Sequence, residues 1–470
     1  MNLLLGIPIE AHMVMLFCVG AAAGSLVNLA AFCLRWEPQS KSPWSRPPRK
    51  APPRRWSDRL PVIGWLGLRR EAKIHGPHFW VRPLLVEIAV GGIFAALYWW
   101  EIGQLGLLIP PLHAGDVPSN EVWLSIHAQY AAHLLLACFM LVASLIDSDE
   151  KIIPDSVTVP GALLGLMLAA LIPWSMLPVV QAVPPAPQFV VPTMTVERLG
   201  RPMAQEMALA PLTITTPELW PEMLGAAPRI SSLLLGLTCF SAWCVALLPW
   251  RPNRGLWVAM RLMFHRRRYP IFRWRPQHGR GVAMLLLLRH WQRKGIVMLP
   301  LAPLMMLVGG ALIALVWWWG DLHWVGLLTA LVGMTAGGGL IWAVRIIGTW
   351  AMKREAMGFG DVTLMAMIGA FVGWQPCLMI FFMAPFAGLV IGLAQWMFRH
   401  DDQIPYGPFL CLATAVLIVG WAPIWDWAGD QPGVFAMGWL VPIMVGICLA
   451  LMAGMLFVLQ IVKRLFSGKS

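Results

Sequence analysis

Charge is scarce in this chain. Only 12% of its 470 residues are Asp, Glu, Lys or Arg, about half the share typical of a soluble domain, roughly 25%. That deficit excludes an ordinary soluble enzyme. Cysteine pairs are missing too. The eight Cys form no CxxC, which argues against a disulfide framework or a zinc knuckle and leaves them as small apolar residues. The first apolar run lacks a basic segment before it, so it reads as a retained first span and not as a cleavable signal. Acids are absent from residues 251–294, which carry twelve Lys/Arg. No folded nucleic-acid reader accompanies that charge, so nucleic acid is not the expected partner. No repeat of fixed period is present.

What remains is apolar. Hydrophobic residues make up 58% of the chain, in many runs near the roughly 20 residues that cross a bilayer. The fold class expected is an all-α polytopic membrane protein, a bundle of about 8–11 spans. The runs fall at residues 11–34, 83–103, 122–146, 156–178, 230–249, 298–319, 323–345, 361–375, 377–397, 407–424 and 436–461. The short eighth is a candidate for a half-buried or kinked segment.

Basic residues orient the bundle, because cytoplasmic loops collect Lys and Arg. Residues 35–82 hold twelve Lys/Arg against three acids. Placing them inside also puts inside 251–294, Lys353-Arg354, Arg399 and Lys463-Arg464. The opposite loops contain Asp116, Glu121, Asp321, Asp426 and Asp430 and almost no Lys or Arg. Anionic lipid is an expected contact of the basic face. The chain divides into residues 1–34, a first span; 35–82, a basic cytoplasmic loop; 83–182, spans that include the acid at 147; 183–296, an insertion with a Pro-rich outer loop and a basic inner loop; and 297–470, the C-terminal spans with the Gly358-Phe359-Gly360-Asp361 motif. The stretch 179–229 offers little reason to form a core.

Two acids stand at span boundaries on the inner side. Asp147 closes an apolar run, and Asp361 follows Met357-Gly358-Phe359-Gly360. An ionisable residue at a span is costly and points to function. Two carboxylates from separate spans can share a proton and activate one water. Gly358 and Gly360 carry no side chains, so a substrate strand can come close. Asp361 also suits a helix N-cap, as do Asp155 and Ser156 after Pro154. Asp149 and Glu150 read as solvated loop residues. Glu87 is expected to pair with Arg82 or another base. His75 and His78 lack further ligands nearby and are not read as a metal site. Gly337-Gly338-Gly339 lacks the Lys of a phosphate loop and reads as close helix packing.

Four ordered segments resemble the type IV prepilin peptidases, a family of membrane aspartic proteases. Gly20-Ala21-Ala22-Ala23-Gly24-Ser25-Leu26-Val27-Asn28 resembles the family's GxxxGSFxNV. The run from Asp147 to Leu163, with Pro154-Asp155 inside it, resembles its IDxxxxxxPDxxTxP. Arg354 to Gly373 resembles its REALGxGDxKLxAxxGxxxG, and Ile404-Pro405-Tyr406-Gly407-Pro408-Phe409-Leu410 its IPFGPFL. The resemblance implies catalytic roles for Asp147 and Asp361 and cleavage at the cytoplasmic face of the plasma membrane. It also implies pilin-like precursor substrates and no cofactor or metal for proteolysis.

The chain departs from the family in three places. Thr363 stands where a Lys is usual, the stretch from Asp147 to Asp361 is longer, and the 35–82 loop has no cysteines. In bifunctional members that loop supports methylation of the new N-terminus with S-adenosylmethionine, so methylation is doubtful here. The rivals are a GxGD intramembrane protease acting on other signal-anchored substrates, and a transporter using an Asp pair.

Overall fold

The computed structural model describes residues 8–36, 39–45, 47–48, 51–108, 120–182, 196–198, 201–203, 207–216, 228–247, 298–352, 357–398, 406–429, 443–447 and 449–450. The helices are α1 (Ile9–Cys33), α2 (Ile63–Leu68), α3 (Ala72–His75), α4 (Val81–Tyr98), α5 (Asn120–Glu150), α6 (Asp155–Leu171) and α7 (Ile230–Ala246). They continue with α8 (Met298–Trp319), α9 (Asp321–Met352), α10 (Phe359–Val372), α11 (Trp374–Phe398), α12 (Gly407–Val419) and α13 (Trp421–Gly429). The chain is an all-α polytopic membrane protein. Ile9–Cys33, Val81–Gly103, Trp123–Glu150 and Asp321–Trp350 are long and apolar enough to cross a bilayer, and α12 with α13 forms a further pair bent by 84°. Among the described residues five shorter apolar helices pack in the same bundle. The expected span at 436–461 and the basic loop at 251–294 lie mostly or wholly outside the described residues. Lys353-Arg354, Arg399 and Lys463-Arg464 lie outside them too.

The core forms around α10. This helix has 14 residues, about 21 Å at 1.5 Å per residue, short of the roughly 30 Å hydrocarbon layer. Every residue from Asp361 to Val372 is buried, so the short segment is fully enclosed. Helices α5, α6, α9, α11 and α12 all pack on it. Gly337 lets α9 come close, since an added Cβ there would fall 2.8 Å from the Met365 carbonyl oxygen. The glycine run thus serves helix packing, as its sequence suggested.

The stretch 179–229 corrects one expectation. Strand β1 (Pro178–Ala182) pairs antiparallel with β4 (Met207–Pro211), and β2 (Val196–Arg198) with β3 (Arg201–Met203). Leu177, Val179, Leu212 and Ile214 are buried in the main core. Thr329 accepts the Ile214 N–H at 3.1 Å, and Trp374 donates to the Ile214 carbonyl at 2.9 Å. Side chains of α9 and α11 satisfy the backbone of an apolar pair, so the flanks of this Pro-rich stretch do join the core. Cys18 is likewise exposed, while Cys239, Cys244, Cys377 and Cys411 are buried.

The 35–82 segment folds without cysteine. Arg54 forms a two-pronged ion pair with the fully buried Glu71, both contacts at 2.9 Å, and donates to the carbonyls of Ser40, Ser42 and Ser45. Arg70 pairs with the buried Asp58. Trp65 and Leu68 bury against Phe32 of α1. Planar guanidinium groups can tie several chain segments at fixed angles, so ionic ties and three apolar residues order the loop. Burial pushes the Asp58 carboxyl up, but hydrogen bonds from Arg70 and the Arg55 N–H outweigh it and hold it below the ordinary 3.8. Burial lowers the His75 imidazole against the opposing pull of Glu71, which lies 3.4 Å away.

Candidate active site

Asp147 sits in the last turn of α5. The helix runs on to Glu150 and stops at Lys151, whose φ of 58° ends it. Asp147 is therefore a helical residue, 5% exposed, and not the first residue of a loop. Its Oδ2 accepts the backbone N–H of Gly407 at 3.1 Å. Gly407 opens α12, and the first N–H groups of a helix have no partner within it and carry partial positive charge. The approach requires glycine, because an added Cβ would lie 2.7 Å from that oxygen.

Asp361 is the third residue of α10 and is 7% exposed. The N-cap is Gly358, not Asp361. The Asp361 carboxylate instead accepts a backbone hydrogen bond from Gly358, the side-chain-to-cap half of a capping box. Each of the two acids is thus held by the N–H of a residue at a helix start. Arg345 of α9 braces the same turn, donating to the Met357 carbonyl at 3.0 Å and lying 5.7 Å over the Phe359 ring.

The two acids come together because two turns touch. An added Cβ on Gly360 would lie 2.8 Å from the Cβ and carbonyl oxygen of Ile153, so the Gly358–Gly360 turn rests on the turn between α5 and α6. Thr158 donates to Thr363 at 3.0 Å, and Thr363 donates to the Gly360 carbonyl at 3.1 Å. The Asp147 charge then acts directly on Asp361, and that of Asp361 on Tyr406. Two carboxyl groups from α5 and α10, roofed by the start of α12, can activate a water between them.

The neighbouring acids remain open to solvent as expected, Asp149 exposed and Glu150 half-buried, but they close α5 and are held by partners. Asp149 pairs with Arg35 and with Arg82, the latter at 2.6 Å, and Glu150 accepts the Trp36 N–H at 2.5 Å. Asp155 and Ser156 do not cap α6. The N-cap is Pro154, and Asp155 hydrogen-bonds Thr363 across the α6–α10 contact. Among the described residues Glu87 pairs with no base. It accepts Ser25 at 2.7 Å, Asn28 at 3.4 Å, the Val62 N–H at 2.6 Å and the Trp65 indole at 2.8 Å, tying the loop to α1 and α4. The sequence reading did not single out Gly407, Arg345 or Asp155 for the site. For Gly407 and Asp155 the usable signal was their place in the family-like segments. For Arg345 there was none.

The chain matches the model of the type IV leader peptidase family over residues 134–194 and 298–393. It is 30% identical over 122 residues to a prepilin leader peptidase/N-methyltransferase of Aeromonas salmonicida, covering 23% of this chain and 40% of the relative. It is 31% identical over 125 residues to the like-named protein of Pseudomonas aeruginosa, covering 23% and 40%. Against that of Myxococcus xanthus it is 30% identical over 156 residues, covering 33% and 40%. The chain spans about 40% of the length of these curated relatives. No solved structure matches. Both Asp147 and Asp361 fall inside the matched segments, which leave 195–297 unmatched between them. Through those segments the chain is similar to the type IV leader peptidase family.

Proposed function

We propose that this chain is an aspartic endopeptidase of the plasma membrane that removes the leader of pilin-like precursors at the cytoplasmic face. One observation carries the reading: two buried carboxylates, far apart in sequence, lie at the end of α5 and the start of α10, where the turn before Asp361 rests on the turn after Asp147. One acid, ionised, takes a proton from water. The other, protonated, polarises the scissile carbonyl. The acids lie at helix ends, where a transporter would place them nearer the bilayer middle. A soluble leader joined to an apolar helix presents its cleavage bond at that level.

The relatives' printed names include N-methyltransferase. The family match begins at residue 134, beyond the 35–82 loop. The cavity beside that loop is lined by Arg35, Lys41 and Arg82, with Asp149 already shared by the two arginines. S-adenosylmethionine brings a positive sulfonium, which this lining does not fit. We assign no methylation step.

The test is co-expression with a pilin-like precursor. Asp147→Asn and Asp361→Asn should each abolish processing on an immunoblot while the chain still inserts in the membrane. Substantial processing by either variant would sink the assignment. Mass spectrometry of the mature product would reveal any added methyl.

A further inference from the structure

A cavity of about 640 Å³ lies at the inner ends of α1, α4 and α5, beside the 35–82 loop. It lies within the 300–1,000 Å³ of ligand sites, and the mechanism above makes no use of it. Its lining is divided. Phe32, Val86 and Leu145 give an apolar part, and Arg35, Lys41 and Arg82 a cationic part. Asp149 and Glu150 are the acids in the lining. Three cations against two acids leave one positive charge in excess, with His78 counted neutral.

The excess is localised. Asp149 is shared between Arg35 and Arg82, and Glu150 takes the Trp36 N–H. Among the described residues, Lys41 has no carboxylate within ion-pair distance. Burial, and next the charge of Arg35, hold its ammonium below the ordinary lysine value. An anion beside Lys41 would supply the missing counter-charge. A basic leader peptide would be repelled.

The structure assigns this cavity, we propose, to the phosphate headgroup of an anionic phospholipid, with the first acyl carbons on Phe32, Val86 and Leu145. Two features favour a lipid over free phosphate. The cavity sits at the ends of membrane-crossing helices, where anionic headgroups are concentrated. It also joins an apolar part to a cationic one, and a free phosphate would leave the apolar part in water. The inference depends on the placement of α1, α4 and α5 and not on peptide cleavage.

Binding is measured directly by native mass spectrometry of the full chain in detergent. The probes are phosphatidylglycerol, phosphatidylcholine with the same acyl chains, and glycerol 3-phosphate. Expected is one saturable phosphatidylglycerol site, about tenfold tighter than phosphatidylcholine, that Lys41→Gln weakens about fivefold, the scale of one cation–headgroup contact. Lys41→Arg should retain binding, and so should Lys73→Gln, which removes an exposed charge outside the cavity. Equal binding of both lipids overturns the proposal. So does an unchanged Lys41→Gln, or a loss as large in Lys73→Gln. Glycerol 3-phosphate displacing the lipid with equal affinity would make free phosphate the ligand and overturn the lipid assignment. A failure here leaves the cleavage reading intact, since Asp147 and Asp361 are tested separately.

Discussion

Gly407→Ala is the sharpest perturbation of the site, because it adds one carbon and removes no functional group. The new Cβ would fall 2.7 Å from Asp147 Oδ2 and 2.8 Å from Ile153 Cδ1. Both contacts are closer than real Cβ atoms tolerate, so α12 must retreat or the carboxylate must turn. Either motion breaks the 3.1 Å bond from the Gly407 N–H to Asp147. A hydrogen bond to a charged group contributes about 1.5–3 kcal/mol. If that bond orients the reacting carboxylate, its loss slows cleavage roughly 10- to 150-fold at about 1.36 kcal/mol per tenfold. The assay is the initial rate of precursor cleavage by purified enzyme in lipid, at saturating substrate. Gly92→Ala is the control, since a Cβ there meets nothing within 4 Å. A Gly407→Ala enzyme with wild-type rate, or a Gly92→Ala enzyme equally slowed, refutes the argument that the α12 start orients Asp147.

Three further predictions concern the frame around the site. Glu87→Ala leaves the Ser25, Val62 and Trp65 donors without their shared acceptor, at about 1–3 kcal/mol for each buried donor left unpaired, so limited proteolysis should cut residues 40–80 at least tenfold faster; unchanged protection would show that the loop does not hang on Glu87. Asp58 titrates lower in the folded loop than in the open chain, so its contribution is complete above about pH 4 and is lost as pH falls through the folded value. Loop protection should therefore hold at pH 5 and fail in more acid solution, and Asp58→Asn should flatten that dependence. Reporters fused after residues 60, 270 and 355 should report cytoplasm and one after 205 the outer side; a fusion at 270 appearing outside would shift the span count.

The parts legible in the sequence were those written in local chemistry. Hydropathy marked the helices because each must satisfy its own backbone in lipid. The two aspartates were legible because a carboxylate at the end of an apolar run is expensive and has few bland explanations. Partnerships across the fold were not legible. Glu87, five residues after Arg82, suggested an ion pair, but five residues are about 1.4 helical turns and put the two on different faces, and Glu87 met the loop's N–H groups instead. Asp149 and Glu150 looked unpartnered because the residues that bind them, Arg35 and Trp36, lie just past the end of α1. The loop's order was missed for the same reason: Arg54 and Glu71 are ordinary surface residues until the chain folds them together. Loss of cysteines said only which device was absent.

The enclosure of α10 bears on how the site meets different membranes. Bilayers vary in thickness by several ångströms, and a helix that touches lipid adjusts by tilting or by drawing the bilayer to its own length. Residues Asp361–Val372 are buried within protein, so α10 has no such mismatch to relieve. Tilt falls on the long outer helices, α1 and α4 among them, whose faces are open to their surroundings. The Asp361 end of the pair therefore keeps its depth and angle relative to α6 and α9 as the bilayer thins or thickens.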